Sequence, residues 1–206
     1  MIFWVDSFTK MYPNVKITFE GNAGRHPVSS LNFGQTQMAP MSREMKESEI
    51  EEIEKKHGFK PSKISVSYDS IAVFVHKDNP IKSLSLEELE AIYSKNRLRE
   101  SPMDIIKWDQ VDVKGEWENQ KFNLFGRSSQ SGTFGFFKLV VLKKGEFKDT
   151  VKEQAGSAAM VQAISKDKMA IGYSSIGYII PEVKTLALSH KKGVVAYEAT
   201  NENILS

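Results

Sequence analysis

The segment GRSSQSGTFGFF, residues 126–137, brings one arginine, three serines and one threonine together just before an apolar helical pattern. The first backbone N–H groups of a helix have no partner within it and carry the positive end of its dipole. The planar guanidinium of Arg127 suits tetrahedral oxyanions, and the hydroxyls of Ser131 and Thr133 can donate hydrogen bonds. Gly132 lets a ligand approach the backbone closely. The motif predicts an anion site, although a plain helix-capping role for Ser131 or Thr133 explains it about equally well.

A second arginine follows a hydroxyl in the same way. Ser42 and Arg43 lie at the predicted start of a helix that runs through residues 44–56, with Gly58 just past its end. Taken alone, the pair indicates an N-cap beside a solvated arginine. Two such arrangements in one chain favour the interpretation that both face a single anion.

One acidic residue interrupts an apolar strand pattern. Asp69 lies between the alternating residues 64–68 and the apolar run IAVFV at residues 71–75. The pattern alone favours a strand-end residue that makes local hydrogen bonds. An ionised carboxylate only accepts hydrogen bonds, so beside an anion site Asp69 would favour a ligand that carries a proton, such as hydrogen phosphate, over sulfate.

The composition excludes several classes of chemistry. The chain of 206 residues has no cysteine, which removes disulfides, thiol catalysis and cysteine-bound metals. Its 28 basic and 26 acidic residues are nearly balanced, so we expect no nucleic-acid partner. A nucleophile elbow and a phosphate loop are both missing, and we expect no enzymatic activity, no metal and no other cofactor. The four histidines show no metal-ligand spacing: His26, His57, His76 and His190.

The sequence also bears on membranes and export. Each apolar run is shorter than the roughly 20 residues of a membrane-spanning helix, so we expect no direct membrane insertion. The N-terminus, MIFWVDSFTKMYP, has no features of a secretory signal. Either the protein is not exported, or its export signal is not part of this sequence.

Helices and strands alternate along the chain. Ser85 and Glu88 form a capping box for the helix LEELEAIYS, and Ser157 is the predicted cap of a later helix. The remaining predicted elements are a helix over residues 2–11, strands over 15–19 and 121–125, helices over 132–143 and 158–166, and a strand in VKTLALS. The alternation predicts an α/β fold with largely parallel sheets and no flexible linker.

With these residues in hand, the chain resembles the PstS-like phosphate-binding proteins of bacterial ABC transporters, a branch of the two-lobed, type II periplasmic-binding-protein family. Five blocks in the family's order carry the resemblance: YPNVKITFEG, MSREMKESE, SYDSIAVFVHKDNPIKSLSLEELEAIYS, GRSSQSGTFGFFK and GSAAMVQAISKDKMAIGYSSIGY. The similarity covers nearly the whole sequence, and GRSSQSGTFGFFK is its most specific part.

The resemblance implies two α/β lobes joined by two crossover strands, with the anion in the cleft between them. The first lobe would be discontinuous, residues 1–73 plus 173–206, and the second would be residues 74–172. Carried over by position, the phosphate-binding residues would be Ser42, Arg43, Asp69, Arg127, Ser129, Ser131, Gly132 and Thr133.

The implied function is that of an extracytoplasmic receptor, at the periplasmic or extracellular face. It would hold inorganic phosphate and deliver it to the membrane permease of an ABC transporter. Two alternatives stay open: a receptor for another oxyanion such as sulfate or molybdate, and a receptor-derived interaction or sensing protein in which anion binding is weakened or lost.

The sequence departs from the family pattern at two points. The family's Gly-Ser-rich loop reads GNAGRHP here, and Gly24 stands where a serine ligand is usual, so that only its backbone N–H could donate. The family also begins with a strand and an anion-binding loop that precede the first helix of this chain. We therefore expect an incomplete first lobe, or one completed by a rearrangement, a swapped segment or a second chain in a dimer.

Overall fold

The computed structural model describes residues 2–18, 27–41, 43–67, 69–200 and 203. The chain divides into two compact units, Met1–Ser65 and Val66–Ser206.

The described part of the first unit contains three helices: α1 (Ile2–Met11), α2 (Pro27–Asn32) and α3 (Glu47–His57). The helix predicted over residues 2–11 is confirmed. Helix α2 packs against α3, and each buries one aliphatic side chain, Val28 and Ile53. The ring of His57 hydrogen-bonds to the carbonyl of Asn32 at 2.9 Å, which joins the ends of the two helices.

Helix α3 begins later than predicted. Its N-cap is Lys46, whose backbone N–H donates to the carboxylate of Glu49 at 2.8 Å. Glu49, the third residue of the helix, therefore caps the free N–H group at its start. The predicted capping role of Ser42 is wrong, and Ser42 itself lies outside the described residues. Gly58 ends the helix in the left-handed conformation, with φ at 79°, as the sequence predicts.

Two predicted strands are not formed. Residues 15–18 and 64–67 have no strand structure, and Ile64 and Val66 expose 81% and 69% of their surface. Alternating hydrophobicity yields a strand only where a neighbouring strand supplies the ladder hydrogen bonds. Among the described residues, neither segment has such a neighbour.

The second unit contains two sheets and three longer helices. The five-stranded sheet has the order β4-β3-β5-β1-β6, and the two-stranded sheet pairs β2 with β7. The strands are β1 (Ile71–His76), β2 (Ser83–Ser85), β3 (Asn123–Arg127), β4 (Lys152–Gln154), β5 (Ala170–Ser175), β6 (Val183–Thr185) and β7 (Ala187–Ser189). The helices are α4 (Leu86–Tyr93), α5 (Gly132–Val140) and α6 (Ser157–Ser165), with 3-10 helices at Trp108–Val111, Gly115–Trp117 and Ile176–Tyr178.

The large sheet is mixed, whereas the sequence predicts largely parallel sheets. Strand β3 is parallel to β4 and β5, but β1 is antiparallel to both β5 and β6. The apolar run in β1 correctly predicts a strand covered on both faces, but such a run carries no information about strand direction. The segment VKTLALS also divides, because β6 joins the large sheet and β7 joins the small one.

Two hydrophobic clusters cover the two faces of the large sheet. Val73 and Val75 of β1 belong to the larger cluster, which also holds the fully buried Trp108 and Tyr173. Ala72 and Phe74 belong to the smaller cluster, together with residues of α6. Alternate residues of β1 thus point into opposite cores.

Helix α6 lies directly on the backbone of β5. A Cβ atom at Gly172 would come within 2.6 Å of the Met160 sulfur and 2.8 Å of Ile164 Cδ1. The missing side chain at position 172 therefore sets how closely α6 approaches the sheet.

Helix α4 begins as the sequence predicts. The Ser85 hydroxyl accepts from the Glu88 N–H at 3.1 Å, and the Glu88 carboxylate accepts from the Ser85 N–H at 2.9 Å. At the other end, the fully buried Tyr93 donates to the carbonyls of Phe125 and Ile171. This hydroxyl therefore joins α4 to both β3 and β5.

No helix among the described residues is both long and apolar enough to cross a membrane.

Replacing Tyr93 with Phe should lower the free energy of unfolding by about 1–3 kcal/mol, because two buried carbonyls lose their shared donor. Urea denaturation followed by circular dichroism measures the change. The matched control is Tyr197→Phe, since Tyr197 exposes 62% of its surface; it should stay within about 0.5 kcal/mol of wild type. Equal stability of the two variants would contradict a bridging role for Tyr93.

Candidate anion site

One edge of the large sheet collects most of the residues that the sequence singled out. Strands β3, β4 and β5 are parallel, so their carboxyl ends lie at the same edge, and the antiparallel β1 begins there. Arg127 is the last residue of β3, Ser175 is the last of β5, and Asp69 precedes β1 by two residues. The carboxyl edge of parallel strands is where α/β proteins bind ligands.

The guanidinium of Arg127 is held by a neutral partner. Its Nη1 donates to the Ser157 hydroxyl oxygen at 2.9 Å, while its Nε is buried and makes no hydrogen bond. Within the described residues, no carboxylate forms an ion pair with Arg127. The guanidinium of Arg127 therefore has no ion-pair partner in this part of the chain.

The loop after Arg127 leads directly into α5. The Ser131 N–H donates to the Ser128 carbonyl at 2.9 Å, and α5 then begins at Gly132. Ser131 occupies the N-cap position with an extended backbone, but its hydroxyl makes no capping hydrogen bond. The capping interpretation of Ser131 therefore does not account for its side chain.

The start of α5 presents backbone donors at the same edge. The N–H groups of Gly132 and Thr133 belong to the first turn, where no intrahelical acceptor exists. Gly132 and Ser129 are exposed, and Ser131 and Thr133 are half-buried. Donors of this kind and the positive end of the helix dipole favour an anion.

Aromatic packing fixes α5 on the sheet. The rings of Phe137 in α5 and Tyr173 in β5 stack, with centroids 3.7 Å apart and planes at 12°. Tyr93 meets Phe137 edge-on at 5.2 Å. The first turn of α5 is thereby tied to the strands that carry Arg127 and Ser175.

Tyr173 also contacts the backbone of the site. Its hydroxyl oxygen accepts from the Arg127 N–H at 3.4 Å, and burial raises the pKa of Tyr173 to about 12. A Cβ atom at Gly126 would lie 2.6 Å from Val151 Cγ1 and 3.4 Å from the Tyr173 hydroxyl, so the missing side chain chiefly makes room for Val151.

Asp69 lies at the same edge, two strands away from Arg127. Adjacent strands are about 4.8 Å apart, so the two backbones are separated by roughly 10 Å. The Ser175 hydroxyl donates to Asp69 Oδ1 at 2.7 Å, which fits the strand-end interpretation of Asp69. The carboxylate is nevertheless exposed, so a ligand at this edge can reach it.

The remaining predicted ligands belong to the first unit. Arg43 pairs with Glu49 through two hydrogen bonds of 2.8 and 2.7 Å, and donates to the Glu44 carbonyl at 2.8 Å. The hydrogen bond with Glu49 raises the pKa of Arg43. Ser42 and Gly24 lie outside the described residues.

Two serines at this edge were not predicted as part of the site. The sequence assigned Ser157 to the cap of α6, but the cap is Gly156 and Ser157 is the first helical residue. Ser175 belongs to the segment GYSSIG, which lies in one of the blocks that resemble the family but was not assigned to the anion site. Ser157 could have been found from its context. Like the segment before α5, the passage from β4 to α6 runs from a strand through a loop to a helix that begins with a hydroxyl.

Across the described ranges, no group of three histidine or acidic side chains is arranged to hold a metal ion.

A family model described as a PBP superfamily domain matches residues 2–205. The chain belongs to the PBP superfamily. The resemblance to phosphate-binding receptors seen in the sequence agrees with the relatives that this chain matches.

Among those relatives is the phosphate-binding protein PstS of Pseudomonas aeruginosa, 41% identical over the whole chain. The chain spans 64% of the length of that relative. A phosphate-binding protein PstS from Staphylococcus haemolyticus is 29% identical over 82% of this chain and 49% of its own length.

Solved structures share the fold. A candidate phosphate ABC transporter substrate-binding protein from Clostridium perfringens, with bound phosphate, superposes with a TM-score of 0.74. It is 23% identical, over 98% of this chain and 73% of that one. An ABC-type phosphate transport receptor from Vibrio cholerae gives a TM-score of 0.64 at 21% identity, over 92% and 72% of the two chains. The predicted α/β fold of the type II binding proteins is confirmed.

The ionisation of Tyr173 gives a testable pH dependence. An unfolded tyrosine loses its proton near pH 10, whereas folded Tyr173 keeps it to about pH 12, so its contribution to stability is complete below about pH 10 and is lost as the pH rises towards 12. In Tyr173→Phe, the fall in unfolding free energy between these pH values should be shallower by about 1.4 kcal/mol per pH unit. Urea denaturation at pH 9, 10 and 11 measures the slope. The control Tyr178→Phe alters a half-exposed ring and should keep the wild-type slope. A wild-type slope in Tyr173→Phe would contradict the raised pKa of Tyr173.

Proposed function

We propose that this chain is the phosphate-holding part of an extracytoplasmic solute receptor of an ABC-type phosphate uptake system. The observation that carries the proposal is the guanidinium of Arg127, which forms no ion pair with any described carboxylate and lies beside the first turn of α5. The family and the names of the relatives support the same conclusion.

The electrostatics of the edge favour a multiply charged anion. A guanidinium that is partly removed from water is costly when no opposite charge accompanies it. The helix dipole of α5 adds further positive potential at the same place. A bound phosphate would neutralise the guanidinium and interact favourably with the helix dipole. Anion binding would therefore recover free energy that folding alone leaves unused.

The donors suit a tetrahedral oxyanion. Arg127 offers a planar fork, Ser131 and Thr133 offer hydroxyls, and Gly132 offers a backbone N–H; Ser129, in the loop, is a further donor. No group of three histidine or acidic side chains that could hold a metal ion accompanies these donors among the described residues. Because the relatives are named as phosphate-binding proteins, we assign binding and delivery to the protein, and not catalysis.

Asp69 would select for a protonated anion. Its carboxylate can accept a hydrogen bond from hydrogen phosphate, whereas fully ionised sulfate has no proton to donate and would be repelled. The Ser175 hydroxyl, which donates to Asp69 Oδ1, would help to keep the carboxylate oriented.

The first lobe would supply the remaining donors. We propose that Ser42 and Arg43 contact the anion from residues 1–73 plus 173–206, and Gly24 weakly through its N–H, against the lobe of residues 74–172. Contacts made only when both lobes hold the ligand would drive closure. The closed receptor, at the periplasmic or extracellular face, would then engage the membrane permease.

A second candidate function follows from Arg43. Its paired hydrogen bonds to Glu49 place a carboxylate on one of the predicted ligands. If Arg43 remains bonded to Glu49 when phosphate is added, Arg43 is not available to the anion. The protein would then have lost part of its anion site and would act as an interaction or sensing protein.

Isothermal titration of the full chain with phosphate distinguishes these functions. The receptor should bind phosphate, and Arg127→Ala should weaken binding by at least about a hundredfold, because a charge-assisted ligand contact is removed. Arg97→Ala is the matched control, since Arg97 is exposed in the same unit. If the chain binds neither phosphate, sulfate nor molybdate, the result would support the interaction or sensing protein instead.

Asp69→Asn tests the selectivity. The amide can donate to an unprotonated oxygen and no longer repels it, so the ratio of sulfate to phosphate affinity should rise by about tenfold or more. Competition titration of both anions measures this ratio. Asp149→Asn, which removes an exposed carboxylate elsewhere in the unit, should leave the ratio unchanged. An unchanged ratio in Asp69→Asn would remove Asp69 from the site.

A further inference from the structure

We propose that Ser157 is a positioning residue, which fixes the guanidinium of Arg127 in the orientation that binds the anion. The inference rests on the proposed function, because it concerns the same site. Its basis is the 2.9 Å hydrogen bond from Arg127 Nη1 to the Ser157 hydroxyl oxygen.

The register of the sheet brings these two residues together. Arg127 lies opposite Gln154 in the parallel pair of β3 and β4. Two residues, Ala155 and Gly156, then separate Gln154 from Ser157, the first residue of α6. The strand that neighbours β3 therefore delivers the hydroxyl to the end of β3, and the contact follows from the topology.

Ser157 is the side chain that holds the guanidinium. Arg127 Nη1 makes its hydrogen bond to this hydroxyl, and Arg127 Nε is buried without a partner in the described part of the chain. A long arginine side chain loses much rotamer freedom when it is fixed, and fixing it before the ligand arrives improves affinity. The bond to the Ser157 hydroxyl fixes the guanidinium in this way.

The neutrality of the partner is the second part of the argument. An aspartate or glutamate at position 157 would also orient Arg127, but it would cancel the charge that attracts the anion. The Ser157 hydroxyl orients the guanidinium and leaves its charge intact. It also leaves one hydroxyl proton, which is not needed for the bond to Arg127, for donation at this edge.

The alternative is that the bond only stabilises the start of α6. A purely structural bond would lower the unfolding temperature when removed and would leave ligand affinity unchanged. A positioning bond would change affinity and leave the temperature nearly constant, because Ser157 is half-buried and does not cap the helix.

The first experiment compares three variants of the full chain by titration with inorganic phosphate and by thermal unfolding without ligand. Ser157→Ala should raise the Kd about tenfold, the loss expected for one hydrogen bond to a charged group. Ser157→Thr keeps the hydroxyl and should restore affinity to within about threefold of wild type. Ser165→Ala is the matched control at the other end of α6, where the hydroxyl bonds to the Gln162 carbonyl; it should not change the Kd.

The second experiment uses Ser157→Asp. A carboxylate at position 157 should raise the unfolding temperature of the ligand-free protein and weaken phosphate binding by more than about a hundredfold, because it forms an ion pair with Arg127. The loss of affinity in Ser157→Asp measures the importance of the Arg127 charge, whereas Ser157→Ala measures the importance of its positioning. Wild-type affinity in Ser157→Ala would overturn the proposal, whatever Ser157→Asp does.

The outcomes separate this inference from the proposed function. If Arg127→Ala abolishes phosphate binding while Ser157→Ala leaves it unchanged, the inference fails and the proposed function stands. If the wild-type chain does not bind phosphate, or if Arg127→Ala binds it normally, both are wrong.

Discussion

A guanidinium that stays charged, partly buried and unpaired with any described carboxylate is the constraint around which the second unit is arranged. Arg127 can be kept in this state because its partners are neutral: the Ser157 hydroxyl accepts from its side chain, and the Tyr173 hydroxyl accepts from its backbone. An acid in place of Ser157 would satisfy the guanidinium internally. In the proposed receptor the charge is left for an external anion, at a cost that the rest of the fold must offset.

The offset comes from the aromatic and aliphatic core beneath the sheet edge. Stacking of Phe137 on Tyr173 and the bifurcated hydroxyl of Tyr93 connect α4 and α5 to β3 and β5. These contacts are local to the second unit and need no ligand. The site therefore stands on rigid elements, which is what allows a few donors to keep a defined geometry.

Several local features of this protein could be predicted from the sequence, although the caps of α3 and α6 were not, and features that depend on distant neighbours could not. The capping box of Ser85 and the helix start at Gly132 rely on residues within a few positions, and both are as predicted. The direction of β1, the missing strand at residues 15–18 and the contact between Ser157 and Arg127 depend on which strands become neighbours. Hydrophobic periodicity records burial and is silent about pairing partners.

The absence of a side chain at Gly172 affects more than the packing of the core. Helix α6 packs on the β5 backbone at Gly172. The distance between helix and sheet at that position therefore also determines where Ser157, the first residue of α6, lies relative to the strand ends. A methyl group added at residue 172 would force Met160 and Ile164 to repack, and any outward shift of the helix would carry Ser157 away from Arg127. One buried glycine therefore couples the packing of the core to the geometry of the candidate anion site.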